Sequence, residues 1–176
     1  GMHAAGIWTD DRQANILDGG AHFYNSYETS DGKFISIASI EKKFYEELLQ
    51  LTGFVDPDHQ AHADRKQWKV NKEKMASMIK EKTRDEWCAI LEGTDVCFAP
   101  VLSLSEAPHH PHNIARQTFT EVNGVVQPSP APKFSRTKSK IQSSPSSVGE
   151  DTRSCLIDWG FENSDVDDLF EKGVLK

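Results

Sequence analysis

The sequence predicts an α+β fold: a small, mainly antiparallel sheet with helices packed on it, followed by a Pro/Ser-rich linker and a helical tail. Three observations predict it. Two runs rich in Tyr, Phe and Ile flank Thr29-Ser30-Asp31-Gly32, and Asp-Gly between such runs turns a hairpin because glycine tolerates positive φ. Asn123-Gly124, between Phe119–Val122 and Val125–Gln127, supplies the two positive-φ positions of a type I′ turn and marks a second hairpin. Between them, apolar spacing of three and four replaces alternation in three segments, which reads as helices.

Taken in order, the strand after Gly32 feeds a helix from Glu41, with Phe44, Leu48 and Leu51 on one stripe and Tyr45 and Leu49 beside it. Glu41 falls in its first turn, where unpaired N–H groups and the helix dipole favour a carboxylate. Residues 52–68 carry Gly53, Pro57, two histidines and little periodicity, and read as a loop. Residues 70–82 place Val70, Met75, Met78 and Ile79 along one side of a lysine-rich helix. Thr83-Arg84-Asp85-Glu86 has capping-box spacing, with Trp87, Ile90 and Leu91 as the buried stripe behind it and Gly93 as the stop. Residues 95–102 read as an apolar strand whose Pro100 belongs at an edge or an exit. The second hairpin is expected to join the sheet of the first. The expected organisation is a tag scar and linker over 1–19, a small α+β domain over 20–127, a Pro/Ser/Lys-rich linker over 128–148 and two short helices over 149–176. In that tail Cys155, Leu156 and Trp159 precede Gly160, and Ser164 caps a stripe of Val166, Leu169 and Phe170.

Composition narrows the function. The 176 residues carry a net charge of −7 with 37% apolar residues, which argues against nucleic acid as a partner, since phosphate backbones select clustered Lys and Arg. The run from Lys133 to Lys140 is the one basic exception, and a solvated linker accounts for it better than a phosphate contact. No apolar run approaches the ~20 residues of a membrane-spanning helix. The cysteines, Cys88, Cys97 and Cys155, are odd in number and widely spaced, which fits reduced thiols rather than a disulfide framework; Cys88 and Cys97 are expected as buried filler. His109, His110 and His112 crowd into one short stretch without the thiol or carboxylate partners of a four-ligand site, so no metal is expected. The start shows no secretory signal, and Gly1-Met2 reads as the scar of a cleaved tag before an internal start, so a fragment is expected.

The motif Gly19-Gly20-Ala21-x-Phe23-Tyr24-x-x-Tyr27-x-Thr29-x-Asp31-Gly32-Lys33, followed by Ala38-x-Ile40-Glu41-x-Lys43-Phe44-Tyr45, resembles the opening of the small domain of alpha-methylacyl-CoA racemases in the family III CoA-transferase superfamily. Trp87-Cys88, Gly93-Thr94-Asp95-x-Cys97, Ala99-Pro100-Val101-Leu102 and the Glu106-x-x-x-His110-x-His112 spacing follow in the same order. The resemblance implies proton removal and return alpha to the thioester of a 2-methylacyl-CoA, through an enolate-like species, by a His and an Asp of a large domain absent from this chain. Glu41 matches the small-domain Glu that pairs with that His across a homodimer interface; Tyr24 matches an active-site tyrosine, with a core-edge tyrosine of the hairpin as the alternative, and Gly19 and Gly20 either let backbone approach the ligand or simply turn the chain. No separate cofactor is implied, CoA being part of the substrate, and no metal, flavin or nicotinamide. The implied setting is intracellular: mitochondrial or peroxisomal in a eukaryote, cytoplasmic in a bacterium. A family III CoA transferase and a non-catalytic interaction module are the alternative readings, and the isolated fragment is expected to be inactive.

Overall fold

A computed structural model describes residues 1–57 and 62–175, and the α+β prediction holds. Its contacts divide it into two compact units, Gly1–Leu104 and Ser105–Lys176, a division that the expected 20–127 domain crosses.

The first unit is built on a three-stranded antiparallel sheet in the order β1 (Tyr24–Glu28), β2 (Phe34–Ala38), β3 (Phe98–Val101). Its turn is the expected one: Gly32 takes φ 73°, and the Thr29 amide closes on the Lys33 carbonyl at 2.8 Å. The hairpin tip is fixed from outside as well. Ser30 N donates to Lys82 O (2.9 Å) and Arg84 N to Asp31 Oδ1 (3.2 Å). The Thr29 hydroxyl, ahead of the Arg84 amide, holds the Asp31 carboxyl below its usual pKa range against the opposing push of burial.

Three helices pack on this sheet. Helix α1 (Lys42–Thr52) ends at Gly53, whose φ of 73° lets its amide close on Leu49 O at 2.9 Å. Its buried line is Tyr45 and Leu48, with Leu49 and Leu51 beside them, so the core face is turned by one residue from the expected Phe44 stripe. Helix α2 (Arg65–Ile79) starts five residues before the expected Val70, because the Asp64 carboxylate caps the Lys66 amide at 3.1 Å. The earlier start shifts the buried face to Trp68, Asn71, Met75 and Ile79 and leaves Val70 about half exposed. The expected loop therefore shortens; of its two histidines, His59 lies outside the described residues. Helix α3 (Arg84–Leu91) has the full capping box between Thr83 and Glu86, and Trp87 is buried with its indole N–H on Ile79 O at 2.7 Å. Phe23, Ile35, Tyr45, Leu48, Met75 and Trp87 form the centre of this core.

The stretch before β1 is no loose linker. Asn15 is buried, its side chain bonded to Thr9 O and Asp18 Oδ2, and Ile16 packs against the core. Lys72 on α2 reaches Gln13 Oε1 and Gly19 O. Burial raises the Asp18 pKa, but bonds from the Asn15 side chain and the amides of Asn15, Gly20 and Ala14 outweigh it and leave the carboxyl below its usual range.

At the sheet edges the register has a specific outcome. Ala38 N donates to Cys97 O at 3.0 Å, so Ala99 and Val101 turn their backbone groups inward and Pro100, opposite Ile35, falls on the outward-facing set. On β1 the outward set is Tyr24, Ser26 and Glu28; Tyr24 N donates to Ala21 O and Ser26 N to Asn25 Oδ1.

The second unit holds a 3-10 turn (Ala107–His109), α4 (Pro111–Ala115), a hairpin of β4 (Phe119–Val122) and β5 (Val125–Pro128), α5 (Thr152–Asp158) and α6 (Asn163–Glu171). The Asn123-Gly124 turn has φ values of 50° and 79°, as a type I′ turn requires. The expectation that this hairpin joins the first sheet is corrected: β4 and β5 form a two-stranded sheet of their own. Turn chemistry specifies which strands pair locally, whereas joining a sheet 18 or more residues away depends on edges, and the blunted edges of β1 and β3 offer no such partner. The expected tail helices are present as α5 and α6, joined by the Arg153–Asp167 ion pair; the N-cap position of α6 falls on Glu162, which makes no side-chain cap bond, rather than on Ser164.

Candidate functional site

Glu41 stands at the N-cap of α1, not inside the first turn. The Ala38–Ile40 turn, closed by Ile40 N on Ala38 O at 2.9 Å, keeps the chain extended through Glu41, whose φ and ψ are −72° and 139°. Its carbonyl accepts from the amides of Phe44 and Tyr45, both at 3.0 Å, so the backbone starts the helix without the side chain. The carboxylate makes no cap bond, is exposed, and has no hydrogen-bond or ion-pair partner among the described residues. An acidic side chain at a helix start that does no capping is available for a charge partner from outside.

Tyr24 begins β1 opposite Ala38, half-buried against the core. Tyr24, Ala38 and Cys97 thus lie in one row across the three strands, at the end of the sheet from which the chain runs into Glu41. Cys97 corrects the expectation of buried filler: it is exposed, at φ 53°, with burial and then the Glu41 charge pushing its thiol pKa up. Its apolar neighbours concealed this, because Val96 takes the buried position and the positive φ turns Cys97 out. Cys88 is half-buried, and burial likewise raises its thiol.

Gly19 and Gly20 have conformational and packing roles in full view. Gly19 sits at φ 84°. A Cβ on Gly20 would lie 2.7 Å from Asn15 O and 2.8 Å from Gln13 O, so only glycine lets the preceding turn close over β1.

The sequence reading missed what holds this end of the sheet to α1. His22 is fully buried, and its Nε2 lies 2.7 Å from the Tyr45 hydroxyl, which donates to Asp56 Oδ2 at 2.7 Å. A hydroxyl has one proton, and it goes to Asp56; His22 is therefore the donor at Nε2, and its buried Nδ1 has no hydrogen-bond partner among the described residues. Burial, with the opposing Asp56 charge and a weaker push from His62, drives the His22 pKa down from 6.5 to about 4. Burial raises the Tyr45 hydroxyl far above its ordinary value, as do the Asp56 bond and charge. The His62 ring stacks on Tyr45 at 4.7 Å and its Nε2 meets Ile40 O at 2.9 Å, one residue before Glu41. His22, two residues before Tyr24, and Tyr45, four after Glu41, thus tie together the two chain segments that carry the sequence-predicted residues. Its only signals in the sequence were isolated polar residues beside aromatic ones.

His109, His110 and His112 fall on the 3-10 turn and α4 in the second unit, and among the described residues no group of three His, Cys, Asp or Glu is placed to hold a metal. Also among the described residues, no helix is long and apolar enough to cross a membrane.

The chain belongs to CoA-transferase family III, whose family model matches residues 2–152. Among the family's curated members it is 38% identical to alpha-methylacyl-CoA racemase of Mus musculus and 37% identical to that of Homo sapiens, in each case over 97% of this chain and 45% of the relative. The chain spans about half the length of these relatives. The fold is shared with a CAIB/BAIF family protein from Brucella suis, at a TM-score of 0.59 and 20% identity over 77% of this chain and 37% of that one.

Proposed function

We propose that this chain is the small-domain part of a 2-methylacyl-CoA racemase, and that Glu41 is its contribution to catalysis. The supporting observation is the Glu41 carboxylate, exposed at a helix start whose capping it does not perform. Racemisation removes the proton alpha to the thioester carbonyl from one face and returns it on the other through an enolate-like species, which takes two opposed acid/base groups. In this reading a His and an Asp of the large domain move the proton. Glu41 faces that His from the other subunit of a homodimer, orients the ring and favours its charged form by an opposite charge nearby. Tyr24 lines the same cleft, and Gly19 and Gly20 hold the backbone beside it. CoA enters as part of the substrate, with no separate cofactor. The setting is intracellular: mitochondrial or peroxisomal in a eukaryote, cytoplasmic in a bacterium.

The test is exchange and inversion of an (R)-2-methylacyl-CoA in deuterated water. The full-length protein is expected to exchange the alpha proton and the 176-residue chain to leave it in place. Glu41→Gln in the full-length protein is expected to lower turnover by about 10²-fold with little change in unfolding midpoint. Unchanged turnover in that variant removes Glu41 from the mechanism, and transfer of CoA from the acyl-CoA to an added carboxylic acid, with release of the 2-methyl acid and no inversion, replaces the racemase reading with that of a transferase.

A further inference from the structure

The basic run of the sequence is exposed, but it turns back on the chain before it. Residues 129–141 fold back along β4 and border an open cleft of about 710 Å³ within the second unit. Phe119, Val122, Phe134 and Ile141 give it apolar walls, and Lys133, Lys138 and Lys140 give it cations. Lys133 is anchored: its ammonium donates to the carbonyls of Arg116 and Gln117, which pins the returning segment to the base of the hairpin. Lys138 and Lys140 are exposed and have no hydrogen-bond or ion-pair partner among the described residues. The surrounding charge is one-sided. From residue 122 to residue 149 the sequence holds Lys133, Arg136, Lys138 and Lys140 and no Asp or Glu, in a chain whose net charge is −7. Among the described residues no Asp or Glu lines the cleft; Glu121, on β4 between Thr120 and Val122, is the one carboxylate from residue 117 to residue 141, and Thr120, Ser129 and Ser139 line the same space.

We propose that this cleft binds a small phosphorylated organic molecule, with its phosphate on Lys138 and Lys140 and its organic body against Phe119 and Phe134. A cleft of this size takes a drug-sized ligand, and lysines bind phosphate as point charges without fixed geometry. The mixed lining selects against both a bare inorganic anion, which leaves the aromatic wall unused, and a plain fatty acid, which uses one charge at most. Glu41 lies in the other unit, and the proposal is independent of its role.

Titration calorimetry on the 176-residue chain tests it with coenzyme A, ADP, inorganic pyrophosphate and laurate as probes. Coenzyme A or ADP is expected to bind saturably and more tightly than pyrophosphate or laurate, and whichever is tighter identifies the source of the phosphate ester. Lys138→Ala/Lys140→Ala is expected to weaken that ligand about tenfold or more, whereas Lys66→Ala/Lys69→Ala, which removes the same charge from α2, leaves it unchanged. Phe134→Ala, at a side chain already 57% exposed, is expected to weaken the organic ligand and not pyrophosphate. Circular dichroism of each variant confirms that the fold is intact. Absence of saturable binding by both organic phosphates, equal loss in the two double variants, or tightest binding of laurate overturns the proposal.

Discussion

Lowering the pH from 7 to 4 is expected to remove a definite part of the stability of the first unit through His22. In the unfolded chain His22 takes up a proton near pH 6.5; in the folded chain it does so only near pH 4, because its ring is buried and its Nε2–H is committed to Tyr45. Above 6.5 neither state binds the proton and the neutral ring costs nothing. Between 6.5 and about 4 the unfolded state gains a proton that the folded state refuses, so stability falls as pH falls, by about 1.4 kcal/mol per pH unit and about 3 kcal/mol over the window. For a domain whose total stability is about 5–15 kcal/mol this is a large share. Urea unfolding at half-unit pH steps measures it, and His22→Gln isolates it, since the Gln amide donates to Tyr45 without titrating. The stability advantage of the wild type over that variant should shrink by about 3 kcal/mol from pH 7 to pH 4. In parallel, the His22 ring proton should show no titration above pH 5 by NMR. A difference that stays flat with pH, or a His22 resonance that titrates near 6.5, refutes the assignment of His22 as a buried neutral donor.

Tyr45→Phe should destabilise by about 1–3 kcal/mol, because it strands the buried His22 donor and removes the bond to Asp56; denaturant midpoints read it, and a loss below about 0.5 kcal/mol contradicts the network. Gly20→Ala should cost about 1–3 kcal/mol, since its Cβ meets the backbone of residues 13 and 15, and thermal unfolding decides between this and free accommodation. Thr83→Ala should lower stability by about 1 kcal/mol through the lost capping box, with Thr83→Ser restoring most of it.

How far the sequence could be read depended on the distance over which each feature is determined. The Gly32 turn, the Asn123-Gly124 turn and the Thr83–Glu86 box were legible because each is completed within four or five residues by its own side chains. The α2 start was missed although Asp64 announces it: the lysines around Trp68 obscured the period that joins it to Met75 and Ile79. Cys97 was misread because one left-handed residue reverses the facing that alternation predicts, and nothing adjacent signals it. The placement of the second hairpin and the His22–Tyr45–Asp56 chain were out of reach for another reason: both are settled by segments distant in sequence, by free edges in one case and by three buried polar groups meeting in the other. At the candidate site, nothing in the sequence signals that Glu41 leaves capping to its backbone, because a side chain's failure to cap is set by the path of the chain from Ala38 to Glu41.

The edges of the three-stranded sheet bear on how copies of this protein meet one another. A strand arriving alongside β3 finds a ring where Pro100 would present an N–H, and one arriving alongside β1 finds the amides of Tyr24 and Ser26 already taken by Ala21 and Asn25. Pro100 achieves this without weakening the existing ladder, because the position it occupies points away from β2. Polymerisation by strand addition, the common failure of a small exposed sheet, is thereby discouraged at both borders of this sheet, so association through it has to use side-chain surfaces. Those surfaces can be retuned one residue at a time, and a domain that joins others in this way keeps control over which partners it accepts.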